Sequence, residues 1–346
     1  MMNKKIVLVT GGTGYVASWL VKELLEDGHE VRITVRDKGR TAGYEHLLDA
    51  ERNAEGTLHV FEANLLREGS FDQAADGSEY VFHTASPFFI SGFRDAKKDL
   101  IKPALEGTRN VLSSVNKSES VRRVVLTSSA VAIFGDNADM EGKPAFTERD
   151  WNTTSSPDHQ PYSYSKTAAE KEAWRIAGEQ DRWDLVTINP TFILGPSLAK
   201  RTDSTSISTI LDLVKGKYKT GVPKLINGIV DVRDAAKAHK RAAFLNTASG
   251  RYLISNEEAS LLQMAKVIGE AAPGRFRLPK IEIPKLIMWL LAPKIGFTRR
   301  YVSRNIGITA HFDNSKSIRE LDMDYRSLRT TLNDQVAQME KDGLIR

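Results

Sequence analysis

A β-branched and apolar run, KIVLVT at residues 5–10, breaks directly into GGTGYVA at 11–17, and a stretch with apolar residues at helical spacing follows as far as Gly28. Glycines between a strand and a helix confine the chain to a tight turn that allows close backbone approach. The helix that follows offers unpaired N–H groups and a partial positive charge to a pyrophosphate. Thr10, Gly11, Thr13, Gly14, Tyr15 and Val16 are the candidate contacts. A lone glycine triplet carries little weight, but here the required strand precedes it and the required helix follows. The spacing is GxxGxxA, tighter than GxGxxG, with Ala17 where a last glycine would serve helix packing.

With 346 residues the chain is long enough for one large domain or two intimate ones. Short β-branched runs at 5–10, 30–36, 57–61, 80–83, 123–127 and 184–189 alternate with helical patterns at 15–26, 95–115 and 162–178. That alternation predicts an α/β fold: a Rossmann-type, doubly wound parallel sheet covered on both faces. After Pro190 the rhythm changes. Residues 195–209 read as a loop, with a short helix at 210–215, a strand near 229, a helix at 232–244 and a strand at 251–254. The remainder is mainly helical. The expected division is a dinucleotide-binding core at 1–190, to which 229–254 returns, and a smaller, mostly helical substrate-side lobe from 191–228 and 255–346.

The absence of cysteine excludes a disulfide framework, thiolate metal clusters and a thiol nucleophile, and fits a reducing compartment. The longest apolar stretch, LIMWLLA at 286–292, is far short of the roughly 20 residues that span a bilayer, and the N-terminal apolar run ends too early for a signal peptide. A cytoplasmic protein is expected. The net charge of +5 is mixed along the chain without a basic block, which argues against nucleic acid and suits an anionic small molecule.

The second strand ends at Val35-Arg36-Asp37, where the adenosine ribose is read. An arginine there favours a 2′-phosphate, whereas an aspartate accepts from a 2′-hydroxyl. Arg36, with Lys38 and Arg40 beside it, points to NADP(H); Asp37 offers the competing NAD(H) reading. Tyr162 and Lys166 are four apart and share a helix face. Their spacing alone is uninformative, but Thr127-Ser128-Ser129 closes the preceding strand at the edge where open α/β sheets bind ligands. A serine that holds a carbonyl oxygen, a tyrosine that gives it a proton and a lysine that brings the phenol into range form a set for carbonyl reduction. Neighbouring strand residues face opposite sides, so only one of Ser128 and Ser129 serves. Tyr164 lacks a lysine four residues on and is assigned to the substrate side.

In VTGGTGYVASWLVKELLEDGHEVRITVRD (9–37), VFHTASPF (81–88), KPALEGTRNVL (102–112), RVVLTSSAVAIFGD (123–136), YSYSKTAAEKEAW (162–174), INPTFILGP (188–196) and VDVRDAAKAH (230–239), the sequence resembles the extended short-chain dehydrogenases/reductases. Within them it is similar to the dihydroflavonol 4-reductase-like branch, which includes cinnamoyl-CoA reductases and yeast-type methylglyoxal and aldehyde reductases. The resemblance implies that Ser129, which precedes alanine, is the catalytic serine, with Tyr162 and Lys166 completing the set. It also implies that Arg36 reads the 2′-phosphate, Thr84, Ala85 and Ser86 flank the ribose and diphosphate, and Pro190 and Thr191 touch the carboxamide. The family's adenine-reading Asp-Leu pair is Asn64-Leu65 here.

Two departures bear on substrate. Flavonoid reductases have an asparagine where this chain has Phe134, and cinnamoyl-CoA reductases have Asn-Trp where it has Gln160-Pro161. The expected substrate is an aldehyde or ketone with a hydrophobic or aromatic body, against a wall of Phe88, Phe89, Phe134 and Tyr164. His83 and His239 read as structural. Asp231 and Asp234 lack the histidines or cysteines of a metal site, so no metal is expected, and the region of Trp289 reads as core or oligomer contact in a monomer or homodimer. A nucleotide-sugar epimerase or dehydratase that retains NAD and a non-catalytic dinucleotide sensor are the alternative functions.

Overall fold

The computed structural model describes residues 4–86 and 95–345. The predicted strands form β1 (Ile6–Thr10), β2 (Glu30–Val35), β3 (Thr57–Glu62), β4 (Tyr80–His83), β5 (Arg123–Thr127) and β6 (Asp184–Pro190). After β7 (Phe192–Leu194), β8 (Val222–Pro223) and β9 (Ile226–Asp231) comes β10 (Gly250–Ile254), which returns to complete a seven-stranded, all-parallel sheet. Its order is β10-β6-β5-β4-β1-β2-β3, the doubly wound arrangement. β11 (Glu257–Ser260) pairs with β9, and β9 with β7, in a separate three-stranded sheet; β12 (Glu282–Ile283) pairs with β8. The strand expected near residue 229 therefore lies outside the main sheet.

The helices are α1 (Tyr15–Glu26), α2 (Glu45–Arg52), α3 (Asp72–Ala75), α4 (Lys102–Lys117), α5 (Pro161–Ala177), α6 (Thr205–Val214), α7 (Val232–Phe244), α8 (Leu261–Ala271), α9 (Lys285–Leu291), α10 (Arg299–Asn305), α11 (Ser315–Glu320) and α12 (Leu328–Lys341). Alternate residues of the sheet enter different cores, as the two-residue strand period demands. Val7, Val9, Phe82, Val125 and Val186 pack with α1 and α7, while Leu8, Val81, Val124, Leu126 and Leu185 pack with α4 and α5. A further core joins Ile207, Ile210, Met264, Ile268, Leu332 and Val336, among others, with Tyr15 of α1 packed against it.

Two expected boundaries move. The helix expected from residue 95 is π-helical at Lys97–Ile101 and becomes regular only at Lys102. Pro103 has no N–H and its ring crowds the carbonyl four residues back, which a wider turn accommodates. The expected loop at 195–209 is shorter, because α6 starts at Thr205. Ile207, Ile210, Leu211 and Val214 are buried at helical spacing, and the hydroxyls of Ser208 and Thr209 donate back to the Thr205 carbonyl, so polar composition did not mean loop. In α9 only Met288 is buried; Leu286, Ile287, Leu290 and Leu291 face outward. Among the described residues no helix is long and apolar enough to cross a membrane.

Two carboxylate clusters tie the parts together. Asp231 caps α7 and accepts from Arg233 and from Thr331 of α12, while Asp234 accepts from Arg326, so both are spent on joining α7 to the C-terminal segment. Asp136, fully buried, accepts from His159 (Nε2, 3.0 Å), Gln160 (Nε2, 2.6 Å), Arg304 (Nε, 2.6 Å) and Asn305 (Nδ2, 2.7 Å). Burial alone would raise its pKa, but the bonds from Asn305, His159 and Arg304 win and hold the carboxyl below the usual value. Its folded value lies below the unfolded one, so the stabilisation is present above the unfolded value and disappears as pH falls through the folded one. Asp136→Ala removes the acceptor shared by four donors, leaving Arg304 only Asp139, Gln160 only the Gly135 carbonyl and Asn305 only the Tyr301 carbonyl, and is expected to cost about 3 kcal/mol in urea denaturation at neutral pH. The gap between variant and wild type should narrow below the ordinary aspartate value of about 3.9.

Candidate active site

The sheet order reverses direction between β1 and β4, and the crevice at their C-terminal ends is where such sheets hold ligands. The two ends are laced together. Ala85 N donates to Thr10 Oγ1 (3.1 Å), Thr84 Oγ1 donates to the Thr10 carbonyl, and Thr10 Oγ1 meets His83 Nδ1 at 3.0 Å. Burial pushes His83 down to about 3, so its ring is neutral and packs beneath the crevice. His239 is likewise pulled down by burial, to about 4; its Nδ1 donates to the Ala235 carbonyl and its Nε2 accepts from Thr127.

Gly11 has φ +64°, and a Cβ there would sit 3.1 Å from Ala85. At Gly12 a Cβ would fall 2.5 Å from Ile33 Cγ2, so the close approach at this position is to β2 itself. Gly14 opens α1 without a side-chain cap and without an acidic residue in the first turn. The helix N-terminus is thus left electropositive, as an anionic diphosphate requires. Three groups cover this turn, and of them sequence reading named Tyr15 but missed Trp19 and Arg201 as parts of the site. Tyr15 Oη donates to the Gly195 carbonyl, Trp19 Nε1 donates to the Pro196 carbonyl (2.8 Å), and Arg201 Nη1 donates to the Thr13 carbonyl (3.1 Å). Arg201 lies 188 residues from Thr13 in a stretch without a recognisable motif, so no local signal could have found it.

At the tip of β2, Arg36, Asp37, Lys38 and Arg40 are all exposed. Asp37 Oδ1 accepts from Gly39 N (2.9 Å) within its own turn, whereas no ion pair joins Arg36, Lys38 or Arg40 to a carboxylate among the described residues. Asn64 Oδ1 accepts from Leu66 N, and Leu65 is held by Asn110 at its carbonyl and by Gly107 against its side chain.

The two serines after β5 part company. Ser128 is buried and its hydroxyl donates to Glu170, while the Ser129 hydroxyl accepts from Val131 N (3.4 Å) and retains its own proton to donate. Pro161 occupies the first position of α5, and Gln160 before it adopts φ 55°, ψ 57°. Its amide offsets this left-handed conformation by donating to the Gly135 carbonyl (2.7 Å) and to Asp136. The helix therefore starts at a pinned point, with Tyr162 and Lys166 one turn apart. Lys166 and Ser128 share a small cavity with His83, Ala85, Ser86 and Leu65.

Burial governs both titrations. It pulls Lys166 down to about 8 against the attraction of Glu170, and it pushes the Tyr162 phenol far above its ordinary value. Burial thus opposes the lowering expected of a nearby ammonium and a nicotinium charge, because a phenolate held away from water is penalised. The result is a tyrosine that keeps its proton at neutral pH. Thr191, past β6, donates through N to the Ile254 carbonyl (3.0 Å), which fixes the segment with Pro190 beside β10. Phe134 stacks on Phe146 (5.0 Å between ring centroids) and meets Phe312 edge-on (5.2 Å); Tyr164 is half-buried on α5. Phe88 and Phe89 lie outside the described residues. A larger concavity of about 810 Å³ lies elsewhere, beside β10 and α11, lined by Trp151, Arg251 and Lys316 and by none of these groups.

Residues 7–254 match a family model described as the NAD dependent epimerase/dehydratase family. A cinnamoyl-CoA reductase of Medicago truncatula is 40% identical over 285 residues, 80% of this chain and 83% of its own. An anthocyanidin reductase of Vitis vinifera is 36% identical over 294 residues, with 80% and 84% covered. Among solved structures, the yeast methylglyoxal/isovaleraldehyde reductase complexed with NADPH matches with a TM-score of 0.80 over 98% of this chain and 100% of its own, at 28% identity.

The packing at the glycine turn has a direct consequence. Gly12→Ala must displace Ile33 from the core and is expected to lower stability by about 1–3 kcal/mol, read as a shift in the urea midpoint at unchanged slope.

Proposed function

The chain belongs to the NAD dependent epimerase/dehydratase family, the extended short-chain dehydrogenases/reductases, and we propose that within it this protein is an NADPH-dependent reductase of aldehydes and ketones. The observation that carries this reading is the placement of half-buried Tyr162 and buried Lys166 one turn apart on α5, beside the Ser129 strand end.

The glycine turn and the uncapped start of α1 suit a diphosphate, with Arg201, its charge paired to Asp203, covering the turn at the Thr13 carbonyl. Arg36, Lys38 and Arg40 suit a 2′-phosphate, since their charges are unspent among the described residues while Asp37 is engaged by Gly39. Thr84, Ala85 and Ser86 flank the ribose side and Pro190 and Thr191 the carboxamide side. When bound, NADPH supplies the hydride that adds to the substrate's carbonyl carbon. The Ser129 hydroxyl donates to the carbonyl oxygen and orients it, and Tyr162 passes its phenolic proton to that oxygen as negative charge develops there. The Lys166 ammonium stabilises the phenolate left behind. Each turnover therefore leaves Tyr162 in need of a proton from solvent.

Phe134, braced by Phe146 and Phe312, and Tyr164 favour a hydrophobic or aromatic substrate body. Neither offers the amide of the flavonoid-reductase pattern. An NAD-retaining nucleotide-sugar epimerase is disfavoured by the cations at Arg36, Lys38 and Arg40, and a non-catalytic sensor has no use for a proton donor placed one turn from a buried lysine.

NADPH oxidation against a panel of aldehydes and ketones tests the reading. Tyr162→Phe should reduce kcat by about 10²–10⁴-fold; no turnover of any carbonyl, or turnover undiminished in the variant, overturns it. Activity of the wild type should fall as pH rises through about 8, where Lys166 loses its proton. Arg36→Glu should raise the KM for NADPH by about 100-fold, the loss of a charge-assisted contact plus repulsion, and leave that for NADH within a few-fold.

A further inference from the structure

Glu170 is buried to 1% exposure one turn beyond Lys166, on the same face of α5. Its two oxygens draw donors from two strands, from the residue that follows β5 and from its own helix. Oε2 accepts from the Ser128 hydroxyl and from Asn189 Nδ2 (2.7 Å); Oε1 accepts from Arg251 Nε (2.6 Å), Thr187 Oγ1 (3.4 Å) and Trp174 Nε1 (3.4 Å). Removing a carboxylate from water is costly, and a pair of apolar side chains would pack the same space without that cost. Simple cohesion therefore does not account for it, and where its bonds lead does.

We propose that Glu170 is a positioning residue for the Ser129, Tyr162 and Lys166 set, holding Ser129 toward the crevice and supplying the negative charge that faces Lys166. This rests on the reductase reading above. The first arm follows from strand geometry. Glu170 takes the Ser128 hydroxyl to the helix side, and the next residue in extended backbone must point the other way. Asn189 reinforces this, because the Nδ2 that donates to Glu170 also donates to the Ser129 carbonyl (3.1 Å). One amide thus links the carboxylate to the backbone of the serine.

The second arm is electrostatic. The groups that face Lys166 are Tyr162 and Glu170 on α5 and His83 from β4, which stays neutral, so Glu170 is the only anion opposing the loss of the ammonium among the described residues. Arg251 lies behind Glu170, its guanidinium 3.8 Å from the Trp151 ring centroid and its Nη1 bonded to the Glu148 and Asp150 carbonyls, where it anchors the carboxylate without reaching the crevice.

Glu170→Gln keeps the shape and removes the charge. It should move the alkaline limb of the kcat profile to lower pH by about one unit and reduce kcat more than KM. In the protein without cofactor, the 15Nζ signal of Lys166 should titrate about one unit lower by NMR, assigned by its absence in Lys166→Arg. Arg251→Lys loosens the same cluster but keeps both charges, so it should lower the melting temperature and leave limb and NMR titration in place. Ser128→Ala, which is expected to fold, should leave the limb unmoved and reduce kcat about 10-fold through a less ordered Ser129. Limbs that shift alike in Glu170→Gln and Arg251→Lys, or in neither, overturn the electrostatic arm; full kcat in Ser128→Ala overturns the orienting arm. Should Glu170→Gln not fold, Ser128→Ala still decides the orienting arm, and Glu170→Asp, which keeps the charge and alters the packing, decides the electrostatic one: its limb should stay within a few tenths of a unit of wild type, and a full-unit shift overturns that arm. Absence of turnover in the wild type would instead count against the reductase reading, and the NMR titration would still test the charge.

Discussion

The Asp136 carboxylate touches no water and is met by donors from two distant parts of the chain. His159 and Gln160 come from the residues just before α5, and Arg304 and Asn305 come from α10 in the C-terminal lobe. One buried charge therefore sets where α5 begins and where the C-terminal lobe sits against the core. Gln160 holds its left-handed backbone only while its amide has Asp136 and Gly135 to bond, and Tyr162 follows two residues later. Buried carboxylates are costly when incompletely paired, so this junction tolerates little rearrangement.

The same low-dielectric surroundings set the chemistry. Burial raises the Tyr162 phenol and lowers the Lys166 ammonium, bringing two groups of ordinarily similar pKa to very different proton affinities. A tyrosine in water holds its proton at pH 7 as well, but it has no fixed cation ready to receive the charge it leaves behind. Here the carboxylate of Glu170 opposes the effect of burial on Lys166, and the helix that carries both keeps them one turn apart.

Much of this was legible along the chain. The strand–glycine–helix pattern was read from adjacent residues, because turn, helix start and strand period are local properties. The main-sheet strands fell where β-branched runs predicted them, for the same reason. The helix at 205–209 was missed because Ser and Thr composition was weighed above the spacing of Ile207, Ile210 and Val214. The helix expected from residue 95 failed to allow for Pro103. Arg201, Asp136 and Glu170 could not be read as parts of one site: each acts through partners far away in sequence, and nothing in its immediate neighbours distinguishes it from a surface charge.

The sequence by itself determined the fold class, the family and the residue types available for catalysis, since those depend on periodicity, on glycine and on short motifs. The tertiary structure alone decided which of two adjacent serines has its hydroxyl already taken, that burial pushes the phenol upward, and that Gly12 makes room for Ile33 as well as for the turn. It also brought Arg201 over the glycine turn across a gap of 188 residues. These depend on burial and on through-space distance, and neither is encoded in any contiguous stretch of the chain.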